Sequence, residues 1–151
     1  MANTQAMCTS FKGELLVGHH NFGTGVIRAA TTADSFKAAL FLASATINAS
    51  TTAYTTTGEV SGNNYTAGGV AVTFGTAPST SGTTAFVTPS ASITYTNVTL
   101  STAFDCVLLY NSTQSNKAVS VHTFGSQTVT AGTFTLTMPT NDASTGLIRL
   151  A

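Results

Sequence analysis

Charge is what this chain has least of. Of its 151 residues only 7% are Asp, Glu, Lys or Arg, five acidic and five basic, where an ordinary globular domain carries about 25%. A neutral chain offers no basic field to hold nucleic acid or an anionic membrane, so neither is an expected partner. Tryptophan is absent, and no apolar run approaches the ~18 residues that a membrane helix needs. A composition that is 42% hydrophobic also excludes a disordered acidic or basic tail. The N-terminal residues lack a basic stretch followed by an apolar one, so no secretory signal is expected and synthesis in a cytoplasm is. The two cysteines, Cys8 and Cys106, form no C-x-x-C or metal spacing. Two buried, reduced thiols are the expectation; a disulfide tying the N-terminal arm to a strand is the alternative.

Hydroxyls fill the space that charge leaves. The chain has 31 threonines and 15 serines. Threonine suits a pleated strand while presenting a hydrogen-bonding outer face, so it can replace Lys and Glu on solvated sheets. A near-zero net charge is a solubility liability for a free monomer and an asset for a subunit packed among copies of itself.

One segment reads as helix. Thr9 or Ser10 can cap a turn carrying Phe11, Leu15 and Leu16, with Glu14 in the first turn and Gly18 ending it. Beyond it β signals dominate. Residues 35–42, 70–74, 85–88 and 92–96 are strand candidates rich in β-branched and aromatic residues. Cys106-Val107-Leu108-Leu109-Tyr110 is the most apolar run and reads as a central strand. The short polar loop 111–116 joins it to residues 117–124 as a hairpin, and Gly125 punctuates. Residues 132–138 alternate strictly, Phe134, Leu136 and Met138 against threonines, until Pro139 stops them. Residues 146–150 form a last strand. The expected architecture is therefore all-β: an antiparallel β-sandwich, jelly-roll-like, with a short N-terminal helix. It forms one domain over 1–151 with an arm and helix over about 1–22. Leu40, Leu42, Val107, Leu109, Val119, Val121, Phe134 and Leu136 are the expected core.

Chemical constellations are sparse. The acids Glu14, Asp34, Glu59, Asp105 and Asp142 stand singly, with no pairing that glycoside hydrolysis would use. His19, His20 and His122 have no Cys or carboxylate at ligand spacing, so no metal is expected. No G-x-S-x-G elbow marks a nucleophile, and neither Gly23-Thr24-Gly25 nor Gly68-Gly69 opens a predicted helix as a phosphate cradle would. No catalytic residue and no cofactor is expected. The sequons at Asn48, Asn64, Asn97 and Asn111 are about as many as this composition yields by chance. Residues 57–69 read as a long irregular connection. Gly62, Gly68 and Gly69 permit positive φ there, and Asn63-Asn64 favours a turn. Glu59 is its one charge and Tyr65 its one aromatic. Glu59, Asn63, Asn64 and Tyr65 are therefore the candidate contact residues.

Four stretches resemble a known family: Phe11-Lys12-Gly13-Glu14-Leu15-Leu16, Phe36-Lys37-Ala38-Ala39-Leu40, Gly58-Glu59-Val60-Ser61-Gly62-Asn63-Asn64-Tyr65-Thr66-Ala67-Gly68-Gly69, and Leu108-Leu109-Tyr110-Asn111-Ser112-Thr113-Gln114-Ser115-Asn116-Lys117-Ala118-Val119. In this order they are similar to small structural proteins of tailed bacteriophages. The resemblance covers nearly the whole chain and contains no chemical signature. It implies a non-enzymatic virion protein, foremost a head decoration or cement protein on the capsid surface. Its implied partners are the major capsid protein and other copies of itself, as a dimer or trimer. The N-terminal arm and the C-terminal strand are the expected means of adding a strand to a neighbour. The alternative is a tail- or fibre-associated protein with a host-binding role, for which Tyr54, Tyr65, Tyr95 and Tyr110 are the candidate aromatic platform.

Overall fold

The computed structural model describes residues 3–8, 11, 15, 19, 20, 22, 23 and 33–151. The eight strands among them are β1 (Ala6–Met7), β2 (Phe36–Leu42), β3 (Val70–Val72), β4 (Ser79–Ser81), β5 (Thr84–Val87), β6 (Ile93–Asn111), β7 (Lys117–Leu136) and β8 (Ile148–Leu150). They form a five-stranded sheet in the order β1-β7-β6-β2-β3 and a three-stranded sheet in the order β4-β5-β8, with every pairing antiparallel. Val87 and Ile148 of the smaller sheet belong to the same buried cluster as Leu40, Val107 and Leu109 of the larger. The chain is an all-β sandwich, as its alternation and turn residues predict.

Four predicted strands fuse into two. Residues 92–96 and 106–110 lie on β6, and residues 117–124 and 132–136 lie on β7. Gly125 does not interrupt; the strand runs through it. The reason lies in the register, which slips five times along this ribbon. Each slip inserts one or two unpaired residues and bends the pair without ending it. Asn97 (φ 53°) and Ala131 (φ 46°) mark two of these places. The accumulated bend is large. On a straight strand Phe124 and Phe134 would stand about 33 Å apart, yet their rings lie 5.2 Å apart and both touch Phe104. The distal half of the ribbon thus curls over a phenylalanine cluster. A second cluster, Phe11, Phe22, Phe36 and Phe74, fills the opposite end.

Leu40, Val107, Leu109, Val119 and Val121 are buried as expected; Leu42, Phe134 and Leu136 are half-buried and pack against the core. A slip between Phe41 and Leu42 explains the first, and the outer position of β7 in the sheet explains the other two. A short N-terminal helix is not seen as an element. Phe11 and Leu15 have helical backbone, while its cap Thr9 or Ser10 and its Glu14, Leu16 and Gly18 lie outside the described residues. The hairpin at 111–116 forms, closed from outside. Asn111 is fully buried, accepts the Thr113 and Gln114 amides, and donates to Asp34 at 2.8 Å.

The arm has partners within its own chain: residues 3–8 complete the larger sheet. Ala6 and Met7 pair with Val121 and Ser120, and the Cys8 amide donates to Val119 at 3.2 Å. Asn3 donates from Nδ2 to the Leu42 carbonyl and to Asp105, and its Oδ1 accepts the Ile47 amide. An edge strand's unpaired groups seek partners, and here the nearest unpaired strand is in the same molecule. Neither cysteine is in a disulfide and both are fully buried, as expected, and burial, aided by Asp105, pushes the Cys106 thiol up to about 12.

Candidate functional site

The loop 57–69 is built around one carboxylate. Glu59 lies beside β2, bridged to Phe41, and the flanking backbone continues that pairing: the Val60 amide donates to Leu40 and the Leu42 amide to Gly58. This places the Glu59 carboxylate among the tyrosines. The Tyr54 hydroxyl donates to it at 2.6 Å, the Tyr65 hydroxyl at 2.8 Å and the Gly68 amide at 2.7 Å. The Tyr65 oxygen in turn accepts the Leu40 amide at 3.0 Å. Tyr110 donates to the Gly68 carbonyl at 2.8 Å, and Tyr95 to the Ala38 carbonyl at 2.8 Å. Tyr54 stacks on Tyr110 at 4.8 Å, and Tyr65 on Tyr95 at 5.9 Å. All four tyrosines of the chain therefore meet here, though they are scattered from position 54 to 110.

Charge and burial hold the four phenols neutral. Desolvation raises the pKa of each above the ordinary phenol value, and the Glu59 carboxylate adds to the rise in every case. Each hydroxyl stays a proton donor well into the alkaline range, which is what a single acceptor carboxylate requires of its donors.

Two glycines make the arrangement possible. At Gly69 (φ +71°) a Cβ would fall 1.7 Å from the Ala38 carbonyl oxygen. At Gly62 it would fall 2.0 Å from the Thr99 carbonyl oxygen. The loop thus lies directly on β2 at one end and on β6 at the other. Asn63 pairs with Thr99 by both backbone bonds, and Asn64 (φ 60°) donates from Nδ2 to the Asn97 carbonyl at 2.8 Å. Asn and Gly are the residues that accept this backbone.

The four candidate contact residues therefore divide. Glu59 and Tyr65 turn their polar atoms inward and spend them on the molecule itself. Asn63 and Asn64 are exposed. The connection is irregular in path but bonded at both ends, and its outer surface, Ser61 to Ala67, carries no charge. Tyr54, Tyr95 and Tyr110, which the sequence offered only as a surface platform, belong to the same inward network; their spacing gives no sign of it, because the sheet brings them together.

A second feature lies between the layers. A cavity of about 140 Å³ has a buried floor of Ala38, Ile93, Val107 and Leu109. Its rim includes His122, Phe124, Leu136, Met138 and Leu147. Burial lowers the His122 pKa to about 4, and its Nε2 lies 2.8 Å from the Ser120 hydroxyl. No carboxylate hydrogen-bonds this imidazole among the described residues. His20 is elsewhere, bonded to Asn111 and packed on Phe11, and His19 is exposed. Among the described residues no three His, Cys, Asp or Glu are grouped to hold a metal ion, and no helix is long and apolar enough to cross a membrane.

Comparison of the chain with protein-family models, with curated proteins and with solved structures returned no match.

Proposed function

We propose that this chain is a non-enzymatic structural subunit of a bacteriophage virion, a decoration or cement protein that binds the outside of the capsid and stabilises the shell. One observation carries the reading: the loop 57–69 turns its only carboxylate inward and holds a rigid, uncharged outer surface against the sandwich. Such a surface associates without stripping water from ions, which is the main cost of burying charge at an interface. No Asp, Glu, Lys or Arg occurs anywhere from Val60 to Phe104, so the neutral surface extends well beyond the loop. The resemblance of the four sequence stretches to phage structural proteins supports the same reading. In a lattice, many modest contacts of this kind add up through repetition.

The tail- or fibre-associated alternative draws less support. A sugar-binding platform needs exposed aromatic faces, and these tyrosines direct their hydroxyls into one another's network. The test uses particles lacking the protein, to which purified chain is added and the bound fraction measured by sedimentation. Asn63→Lys, which places a charge on the loop's outer surface, is expected to lower occupancy severalfold while leaving the fold intact. Unchanged occupancy would remove the loop from the interface, and recovery of the protein only with tails would overturn the capsid assignment.

A further inference from the structure

The strand β7 has an unfinished side. Its inner edge pairs with β6 along most of its length, while among the described residues its outer edge is engaged only over 117–121, by β1 and Cys8 at Val119 to Val121 and by Thr52 and Ala53 at Lys117 and Ala118. Among the described residues none donates to or accepts from the outward backbone groups of residues 132–136. Natural sheets guard such edges with lysines, prolines, bulges or covering loops. Here such guards flank the segment and none lies within it: the bulge at Ala131 precedes it and Pro139 follows it. No charged residue occurs from Ala118 to Asn141. No residue from 132 to 136 has positive φ, and Phe134–Leu136 pair with β6 in unbroken register.

We propose that this edge, Gly132 to Leu136, is the self-association surface of the chain, pairing antiparallel with the same edge of a second copy about a two-fold axis at Thr135. The sequence makes the edge complementary to itself. Thr133 and Thr135 are exposed while Phe134 and Leu136 are half-buried. With a side-chain period of two, pairing centred on Thr135 sets Phe134 opposite the second copy's Leu136 on one face and Thr133 opposite its Thr137 on the other. Aromatic–aliphatic and Thr–Thr pairs are among those that stabilise adjacent strands. An isologous contact of this kind closes at two copies. A foreign strand would meet the same backbone groups, but the matched pattern of the edge favours its own copy. The inference deepens the virion reading by naming the surface through which subunits join. Its test contains no particle, so the two readings fail separately.

The experiment is sedimentation velocity on the purified chain and on charge variants. Wild type is expected to dimerise. Thr135→Lys and Thr135→Glu each place like charges opposite one another across the axis and are expected to weaken the dimer by roughly fivefold or more. An equimolar mixture of the two is expected to form a one-to-one dimer. The double variant Thr133→Lys with Thr137→Glu sets opposite charges in register and is expected to retain the dimer, which keeps the register testable should the Thr135 variants misfold. A monomeric wild type, a Thr135→Lys chain that dimerises as well as wild type, a mixture that stays monomeric, or a monomeric double variant would overturn the proposal.

Discussion

The loop 57–69 and the distal half of β7 are both nearly free of charge, and they solve opposite problems. The loop has no strand of its own, yet its carboxylate, backbone and tyrosine neighbours are all engaged. Residues 132–136 of β7 are regular strand, yet their outer backbone groups meet nothing among the described residues. Regularity and completeness are therefore separate properties. A strand satisfies only half of its backbone groups through one neighbour, whereas an irregular segment survives beside a core only when its polar groups find partners one at a time. Glu59 is the means: one half-buried anion organises three donors and, through them, the backbone of β2.

Breaking that means should produce the largest effect. Glu59→Ala leaves two phenol hydroxyls and the Gly68 amide without their acceptor, and is expected to cost about 3–5 kcal/mol in urea unfolding. Hydrogen exchange should become fast across 57–69 while the hairpin of β6 and β7 stays protected. Leu109→Ala strikes the strand that serves both regions; with Leu109 buried at the floor of the cavity, about 3 kcal/mol is expected, and unchanged thermal stability would refute its central position.

His122, on β7 at the rim of the cavity, gives a pH test. Its folded pKa is lowered to about 4 by burial, while the unfolded chain titrates near 6.5. Below about 6.5 the unfolded state takes up the proton first, so stability is fully present above that pH and falls as the pH drops toward 4. The loss totals roughly 3 kcal/mol. His122→Gln should flatten stability across this window; an unaltered pH profile would mean that the imidazole is not the cause. At the alkaline end the raised tyrosine pKa values carry the opposite sign. The unfolded chain loses phenol protons first, so stability should fall as the pH rises above about 10. Tyr65→Phe removes one bond given to Glu59 and one accepted from Leu40, for about 1–3 kcal/mol. The smallest change belongs to the open edge: Thr135→Lys is expected to alter monomer stability by less than about 0.5 kcal/mol, which would separate its effect on association from any effect on the fold.

The sandwich was legible because period-two alternation and β-branched runs are local signals. Cys106 to Tyr110 and residues 132–138 reveal themselves without reference to anything distant. The fusion of strands was hidden: a bulge at Asn97 resembles a turn in sequence, since both use residues that tolerate positive φ, and an alanine at 131 gives no local sign of one. The cis pairing of residues 6–7 was hidden too, because two residues carry no period. At the candidate site, the residue types were readable and their direction was not. Glu59 and Tyr65 stand out as the one charge and one aromatic of a polar loop, but whether they face outward depends on Tyr54, Tyr95 and Tyr110, which only the folded sheet brings near.

The central claim is that the chain holds a capsid through neutral contacts. Purified particles carrying the protein should therefore be washed in stepwise sodium chloride and, in parallel, in urea. At about 1 M salt the screening length is near 3 Å, enough to dissolve a contact built from exposed ion pairs. The account predicts retention on heads through that range and release in urea. Loss at moderate salt, or co-purification with detached tails, would contradict it.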